Sequence, residues 1–184
     1  MKDERTLVEG CQNKDRVSQR TLYERFAGRM FAVCQRYTRS NFEAEDVVQE
    51  GFVKVFSQIH AFRYDCPLEA WIKRIMINTA ISYLRKEKAY LNQADIEECS
   101  DYISDAETPI SILAYQQLLE LVRELPTGCQ SVFNLYAIEG YQHSEIATML
   151  SIAEGTSKSQ YARAKQILQA KVLGEQKTTN NLNR

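Results

Sequence analysis

The chain has 184 residues, 44% of them hydrophobic, with a formal net charge of −1 and only seven Gly and three Pro. This composition suits one domain or two small ones, built from long helices rather than from a β sandwich. The five cysteines are widely spaced and only two histidines are present. That pattern offers no zinc site, argues against a full disulfide framework and predicts thiols in a reducing cytoplasm. No apolar run approaches the roughly 20 residues of a membrane span, and the N-terminus lacks a signal-peptide core.

Charge is distributed unevenly along the chain. Residues 1–90 carry 16 basic and 12 acidic side chains, residues 91–120 carry seven acidic and no basic ones, and residues 121–184 carry seven basic and five acidic ones. This basic–acidic–basic order predicts two folded units joined by an acidic connector. The nearly neutral total is therefore a poor guide to nucleic-acid binding, because local patches decide that property.

The N-terminal half shows three helical stripes. Apolar residues recur at steps of three and four over 22–37 and again over 44–56, as on one face of a helix. A third long helix is expected over 71–88. Between the second and third stripes, the Pro in FRYDCPL predicts a loop over 62–68. We therefore predict an all-helical domain over residues 1–91.

A second helical domain is predicted after an acidic connector. Residues 92–109 lack a sustained apolar period, and we expect a flexible linker there. In the domain expected over 110–175, one helix stops at Pro126, the next stops at Gly140, and two short helices follow. The polar tail over 176–184 is expected to fray.

The two short helices, SEIATML and EGTSKSQYARAKQILQAK, are separated by three or four residues, which is the pattern of a helix-turn-helix. The residues expected to pack the pair together are Ile146, Ala147, Leu150, Ile152, Tyr161, Ala164 and Leu168. Ser157 lies on the same stripe, where a hydroxyl is unexpected. The opposite face shows Lys158, Gln160, Arg163 and Lys165. Such side chains bind phosphates and base edges when the second helix enters the major groove, but a basic amphipathic helix taken alone is more often a solvated surface.

The segment that contains this motif resembles region four of bacterial RNA polymerase sigma factors of the extracytoplasmic-function (ECF) type. The family pattern runs LP, Gln, EGY or EGF, EIA, GT, KS and RA(R/K). This chain matches it with Leu125–Pro126, Gln130, Glu139–Gly140–Tyr141, Glu145–Ile146–Ala147, Gly155–Thr156, Lys158–Ser159 and Arg163–Ala164–Lys165. This string is far more specific than a helix-turn-helix alone.

The upstream half resembles region two of the same family. AEDVVQEGFVKVF is similar to the segment that binds core polymerase, and FRYDCPLEAWIKRIMINTAISYLRK is similar to the segment that melts and reads the downstream promoter element. The resemblance implies an all-α fold of two small helical domains joined by a flexible acidic linker. It also implies a non-enzymatic sigma factor that directs promoter-specific initiation. Its implied partners are core RNA polymerase, promoter DNA and an anti-sigma factor, and no cofactor or metal is implied.

Positions that match the family's motifs supply the candidate site residues. Those implied for core polymerase binding are Asp46, Gln49, Glu50 and Lys54. Those implied for the downstream element and its melting are Phe62, Arg63, Tyr64, Asp65, Lys73, Arg74, Asn78, Ser82 and Arg85. Those implied for the upstream element are Thr156, Lys158, Ser159, Gln160, Ala162 and Arg163.

Residue chemistry is compatible with these roles without requiring them. Asp46, Gln49 and Glu50 share one helix face, which could bind a basic helical hairpin or simply contact water. Aromatic and amide groups could hold an extruded base beside a basic track. Trp71 is nevertheless expected in the core, and Asn78 could simply be a polar residue of the helix surface. The acidic linker could be an ordinary tether or, by resemblance, could follow the nucleic-acid channel of the polymerase.

Three positions depart from the family pattern. Ser151 stands at the turn between the two short helices, where the family often has Gly, and a left-handed Ser there would cost about 1 kcal/mol unless the turn is built differently. Ser157 replaces the family's Val, and Gln160 replaces its Arg. These departures predict a promoter preference specific to a sub-branch of the family.

Three other classes of function compete with this interpretation. A transcription regulator with a C-terminal helix-turn-helix would bind promoters without polymerase, although the melting segment over 62–88 argues against it. A helical anti-sigma factor or adaptor would show no salt-dependent affinity for DNA. An enzyme has little support, because the sequence has no Gly-rich phosphate loop and no His/Cys cluster.

Overall fold

The structure is a computed structural model that describes residues 4–91 and 110–182. Within those residues it contains eight α-helices and no strand, so the all-α prediction is confirmed. The chain divides into two compact units, Met1–Glu87 and Lys88–Arg184. The predicted linker over 92–109 lies outside the described residues.

The first unit is built from four helices. They are α1 (Glu4–Gln12), α2 (Arg16–Cys34), α3 (Asn41–Gln58) and α4 (Leu68–Leu91), with a 3₁₀ turn at Ile59–Ala61. Side-chain caps fix two helix starts. The Asp15 carboxylate accepts hydrogen bonds from the backbone N–H groups of Val17 and Ser18, and the Ser40 hydroxyl accepts one from the Glu43 N–H at 3.2 Å. Both caps satisfy backbone donors that a helix cannot satisfy by itself.

The core of this unit follows the apolar stripes of the sequence. From α2 the buried residues are Leu22, Phe26, Met30, Val33 and Cys34, and Tyr37 is buried just beyond it. From α3 they are Ala44, Val47, Val48, Phe52 and Val55, and from α4 they include Leu68, Ile72, Ile75, Met76, Ile77, Ala80, Ile81 and Leu84. Because each stripe recurs at the helical period, α2, α3 and α4 each bury one face.

Helix α1 was not predicted from the sequence. It buries Leu7, Val8 and Cys11, which are too few residues to establish a period. Close packing against α2 requires Gly10, because a Cβ at that position would lie 2.1 Å from the Ser18 hydroxyl oxygen. Helix α1 packs against α2 and lies beside the 62–68 loop.

The second unit contains α5 (Ile110–Arg123), α6 (Thr127–Phe133), α7 (His143–Leu150) and α8 (Glu154–Leu182). A π-helical turn, Asn134–Ile138, continues α6. The hydrophobic cluster comprises Leu121, Leu125, Cys129, Ala164 and Leu168, with Phe133 and Ile167 packed against it. Helix α8 therefore has its N-terminal half anchored on α5 and α6. It continues to Leu182, so the backbone of most of the tail that was expected to fray is helical.

Three cysteines, Cys11, Cys34 and Cys129, are buried as free thiols, whereas Cys66 is exposed. Desolvation by burial raises the pKa of Cys34 to about 12 and that of Cys11 to about 11. A buried thiol with a raised pKa is a poor nucleophile and metal ligand. These cysteines act as small hydrophobic residues of the core.

Candidate nucleic-acid interface

One exposed face of α3 carries the predicted polymerase-binding residues. Asp46, Gln49 and Glu50 are all exposed, while their helical neighbours Val47 and Val48 are buried. The acidic and amide groups therefore point away from the core, as their spacing predicts.

Both ends of this face carry exposed apolar side chains, which the sequence analysis did not identify. Phe42 is 73% exposed and Val53 is 69% exposed. With Asp46 and Gln49 they follow the i, i+4, i+7 and i+11 positions of a single stripe. Phe42 and Val53 therefore add exposed apolar surface at the two ends of the stripe that carries Asp46 and Gln49.

Lys54 forms polar contacts with residues of its own unit. Its ammonium group pairs with the Glu50 carboxylate at 2.6 Å and donates to the Thr79 hydroxyl of α4 at 3.3 Å. The hydrogen bond from Lys54 is the main reason that the pKa of Glu50 lies below its usual value. Asp46 and Gln49 are thus the polar groups of this face that remain available to a partner.

In the 62–65 loop the ring of Tyr64 packs on Phe62, which in turn packs on Trp71. Phe62 is only 5% exposed, and its ring lies 5.4 Å from that of Trp71 and 4.8 Å from that of Tyr64. Phe62 is therefore packed between these two rings, and Tyr64 and Trp71 are the more exposed aromatic residues at this loop. Tyr64 is 41% exposed and adopts a left-handed backbone with φ of 63°, which is unusual for a bulky residue.

Arg5 of α1 also lies at this loop, although no sequence motif identifies it. Its guanidinium carbon lies 5.5 Å from the centroid of the Tyr64 ring, within the range of a cation–π contact. The neighbouring Arg63 and Asp65 are exposed. Together these residues form a polar rim around an aromatic surface.

Most of the candidate residues of α4 share one face. At 100° per residue, Arg74, Asn78, Ser82 and Arg85 fall on the side of the helix that also carries Trp71. Asn78, Arg74 and Arg85 are exposed. Ser82 is half-buried and donates its hydroxyl hydrogen to the Asn78 carbonyl at 2.8 Å, so it braces the helix. Lys73 is about 140° away from Asn78 around the helix, and it does not belong to this face.

The turn between α7 and α8 is built on a left-handed residue. Ser151 has φ of 55° and ψ of 48°, and the Ile152 N–H donates to the Ala147 carbonyl at 3.0 Å. This is the geometry that glycine usually supplies at a helix C-terminus. Ser151 therefore takes the same turn that the family often makes with Gly.

Buried Ser157 is held by a histidine of α7. Its side chain is fully buried, and its hydroxyl oxygen lies 2.9 Å from Nδ1 of His143. The imidazole stacks on the Tyr136 ring with a centroid distance of 4.2 Å and an angle of 10°. Because a hydrogen bond compensates for burial of the hydroxyl, Ser157 can occupy a position of the apolar stripe.

The N-terminal half of α8 exposes an arc of polar and small residues. Thr156, Lys158, Ser159, Ala162 and Arg163 are exposed, opposite the buried side that carries Ala164 and Leu168. Lys158 pairs with Glu154 at 2.7 Å, and its hydrogen bond is the main reason that the pKa of Glu154 lies below its usual value. Gln160 differs from these residues because it is half-buried and folds back toward α6.

Known proteins match both units in the order expected. The family model described as "Sigma-70 region 2" matches residues 22–90, and the one described as "Sigma-70, region 4" matches residues 115–168. The ECF RNA polymerase sigma-E factor of Haemophilus influenzae is 27% identical over 180 residues, which cover 92% of this chain and 95% of that protein. The sigma-E factor of Escherichia coli strain K12 is 26% identical over 180 residues, with 92% and 94% covered. This chain belongs to the ECF-type RNA polymerase sigma factors.

Solved structures agree with this assignment in their fold. CnrH, solved in complex with the cytosolic domain of CnrY, is 20% identical with a TM-score of 0.53, over 93% of this sigma factor and 97% of that chain. The sigma factor RpoE of Bartonella quintana, solved with the anti-sigma factor NepR, is 21% identical with a TM-score of 0.55, over 82% and 94%.

As an ECF sigma factor the chain is a non-enzymatic subunit that binds core RNA polymerase and promoter DNA and directs transcription initiation. Within the described ranges, no group of three or more His, Cys, Asp or Glu residues could hold a metal ion. None of the helices described combines the length and the apolar character needed to cross a bilayer.

Proposed function

We propose that this sigma factor divides promoter opening between its two units. The first unit binds core polymerase through α3 and holds a melted base at the 62–65 loop, and the second docks on duplex DNA through α8. The observation that carries this proposal is the presence of two unlike surfaces. One is an aromatic loop beside an exposed amide, and the other is a helix-turn-helix with an exposed polar arc.

The polymerase-binding surface is proposed to be the stripe from Phe42 through Asp46 and Gln49 to Val53. A partner with a basic helical hairpin would meet the carboxylate and the amide at its centre, while the apolar ends exclude water. This combination resembles the anatomy of protein interfaces, in which a few buried apolar anchors accompany polar contacts. Glu50 contributes less, because Lys54 already neutralises much of its charge.

The melting surface is proposed to centre on Tyr64 and Asn78. Extruding a base costs a few kcal/mol of unstacking, and an exposed aromatic face recovers about 1–3 kcal/mol by stacking. The ring of Tyr64 is 41% exposed and packs on Phe62, so a base that displaces the Arg5 guanidinium from this ring would find such a face. Asn78 offers an amide that can bond to the edge of the base, and Arg74 on the same face of α4 can bind phosphate.

The docking surface is proposed to be the arc of α8 formed by Thr156, Ser159, Ala162 and Arg163, with Lys158 at its flank. Its residues occupy the early turns of the second helix, which are the turns that meet base edges in this motif. Arg163 can bind guanine in a bidentate manner or can contact phosphate.

A pre-melted promoter bubble tests this division of labour. Asn78→Ala should preserve binding to duplex DNA and impair opening, and the bubble should restore its activity. Arg163→Ala should weaken docking on both templates. If Arg163 contacts phosphate, the slope of log affinity against log salt should fall by about one. If it contacts a base, one promoter position should relax by roughly 1–3 kcal/mol.

Gln169→Ala is the matched control, because Gln169 is exposed on the same helix but lies farther from its N-terminus. It should behave as wild type on both templates. If the bubble rescues the Asn78 and Arg163 variants equally, the proposed division between the two units is wrong.

The cellular setting follows from the same proposal. We place the protein in the cytoplasm, where core polymerase and promoter DNA are found. We also propose that an anti-sigma factor regulates it by covering the exposed stripe of α3, because polymerase could not then reach Asp46 and Gln49.

For the linker, we propose passage through the nucleic-acid channel of the polymerase, where its negative charge would imitate RNA.

A further inference from the structure

The amide of Gln160 occupies the space where Gly128 lacks a side chain. A Cβ at position 128 would lie 2.8 Å from Nε2, 2.9 Å from Oε1 and 3.0 Å from Cδ of Gln160. The Oε1 atom is buried and has no hydrogen-bond partner among the described residues. The end of this side chain therefore rests on α6, although its backbone belongs to the DNA-facing half of α8.

The absence of a side chain at position 128 makes room for this contact. Gly128 is the second residue of α6 and has no left-handed backbone, so its own conformation does not require glycine. A larger residue at this position would displace the end of the Gln160 side chain.

The contact limits what Gln160 can read. A glutamine recognises adenine by donating from its amide nitrogen and accepting with its amide oxygen, and both atoms must reach the base edge. While Oε1 is covered at Gly128, that bidentate contact cannot form.

We infer that Gly128 is a positioning residue for promoter specificity. It leaves room for the amide of Gln160 to pack on α6. In that position Gln160 cannot give the sigma factor a preference for adenine in the upstream element. This inference rests on the proposed role of α8 in docking. The substituent at position 128 then determines whether Gln160 contributes to base recognition, although Gly128 itself touches no base.

The test compares base preferences of the holoenzyme, formed from the full chain and core polymerase, on promoters randomised across the upstream element. Gly128→Ala should displace the flexible end of Gln160 and raise the preference for adenine at one position by at least about fivefold, the lower end for a bidentate amide–adenine contact. Gln160→Ala should lack this preference. In the Gln160→Ala background, adding Gly128→Ala should change nothing.

Gly28→Ala is the matched control, since it is another helical glycine, its added Cβ would meet nothing within 4 Å, and it lies in the first unit. It should leave base preference unchanged. An unchanged preference in Gly128→Ala, or a shift that persists without Gln160, would overturn the inference. A wild-type holoenzyme with no upstream preference at all would instead contradict the proposed function.

A measurement on the unmodified protein keeps the inference testable if Gly128→Ala does not fold. Nuclear Overhauser contacts between the side-chain amide protons of Gln160 and the α protons of Gly128 are expected in the free protein. Their absence, with the Gln160 amide resonance at a solvent-exposed shift, would show that Gln160 is not seated on α6.

Discussion

The hydrogen bond between His143 and Ser157 should measurably stabilise the helix-turn-helix. Ser157 is fully buried, and its hydroxyl lies 2.9 Å from Nδ1 of the histidine. Ser157→Ala removes the hydroxyl and leaves Nδ1 without this partner. His143→Phe keeps a ring that can stack on Tyr136 but leaves the buried hydroxyl without its nitrogen partner.

The expected magnitudes follow from burial. A net hydrogen bond contributes about 0.5–1.5 kcal/mol, and a buried polar group left without a partner costs about 1–3 kcal/mol. Each single substitution should therefore destabilise the second unit by roughly 1–3 kcal/mol. Once one partner has been removed, removing the other should cost less, so the double variant should be more stable than the sum of the single effects predicts by about 0.5–1.5 kcal/mol.

Native-state hydrogen exchange in the full chain is the appropriate assay, because it reports on the second unit separately from the first. The amides of Ile146 in α7 and Ala164 in α8 lie in the core of this unit and should lose protection in each single variant. Ser159→Ala, an exposed substitution on the same helix, should change stability by no more than about 0.5 kcal/mol. Strictly additive effects of the His143 and Ser157 substitutions would refute the proposed coupling.

Three further predictions concern the turn, the α3 face and the cysteines. Ser151→Gly should relieve about 1 kcal/mol of left-handed strain against about 0.4–1 kcal/mol of added unfolded-state entropy, for a net gain of up to about 0.6 kcal/mol by hydrogen exchange. Ser144→Gly, a helical position on the same α7, should instead lose about 0.5 kcal/mol, and a gain of similar size there would contradict the strain argument. Replacing Asp46 and Gln49 with Ala should weaken core-polymerase binding in a pull-down titration while leaving the thermal midpoint nearly unchanged; a lost fold with unchanged affinity would assign them to the core instead. Iodoacetamide at pH 8 should label Cys66 faster than the three buried cysteines by mass spectrometry, because raised pKa values and burial suppress their thiolates, and equal rates would contradict the burial described.

The fold was largely predictable because its helices bury periodic stripes. Most residues of α2, α3 and α4 that recur at steps of three and four lie in the core, whereas Phe56 and Trp71 are only half-buried. The helix-turn-helix was predictable for the same reason. Helix α1 was not, because three apolar residues in nine do not define a period and its stability depends on tertiary contact with α2.

The surfaces were predictable only in part. Helix spacing places Asp46 and Gln49 on one face, which is exposed in the structure, whereas Asn78 was identified only by the family resemblance and is also exposed. Spacing could not show that Phe62 is covered by Trp71 and Tyr64, because that depends on how the loop folds. The contact between Gln160 and Gly128 depends on α6 and α8 packing side by side, so no local sequence pattern could predict it.

The most direct test of the central claim is promoter-specific transcription with purified core bacterial RNA polymerase. The account predicts defined run-off transcripts from a subset of promoters when the protein and core polymerase are combined, and none from either component alone. The Asp46 and Gln49 double variant should yield fewer of these transcripts in proportion to its loss of core binding. Specific transcripts that appear equally without this protein would contradict the claim that it directs initiation.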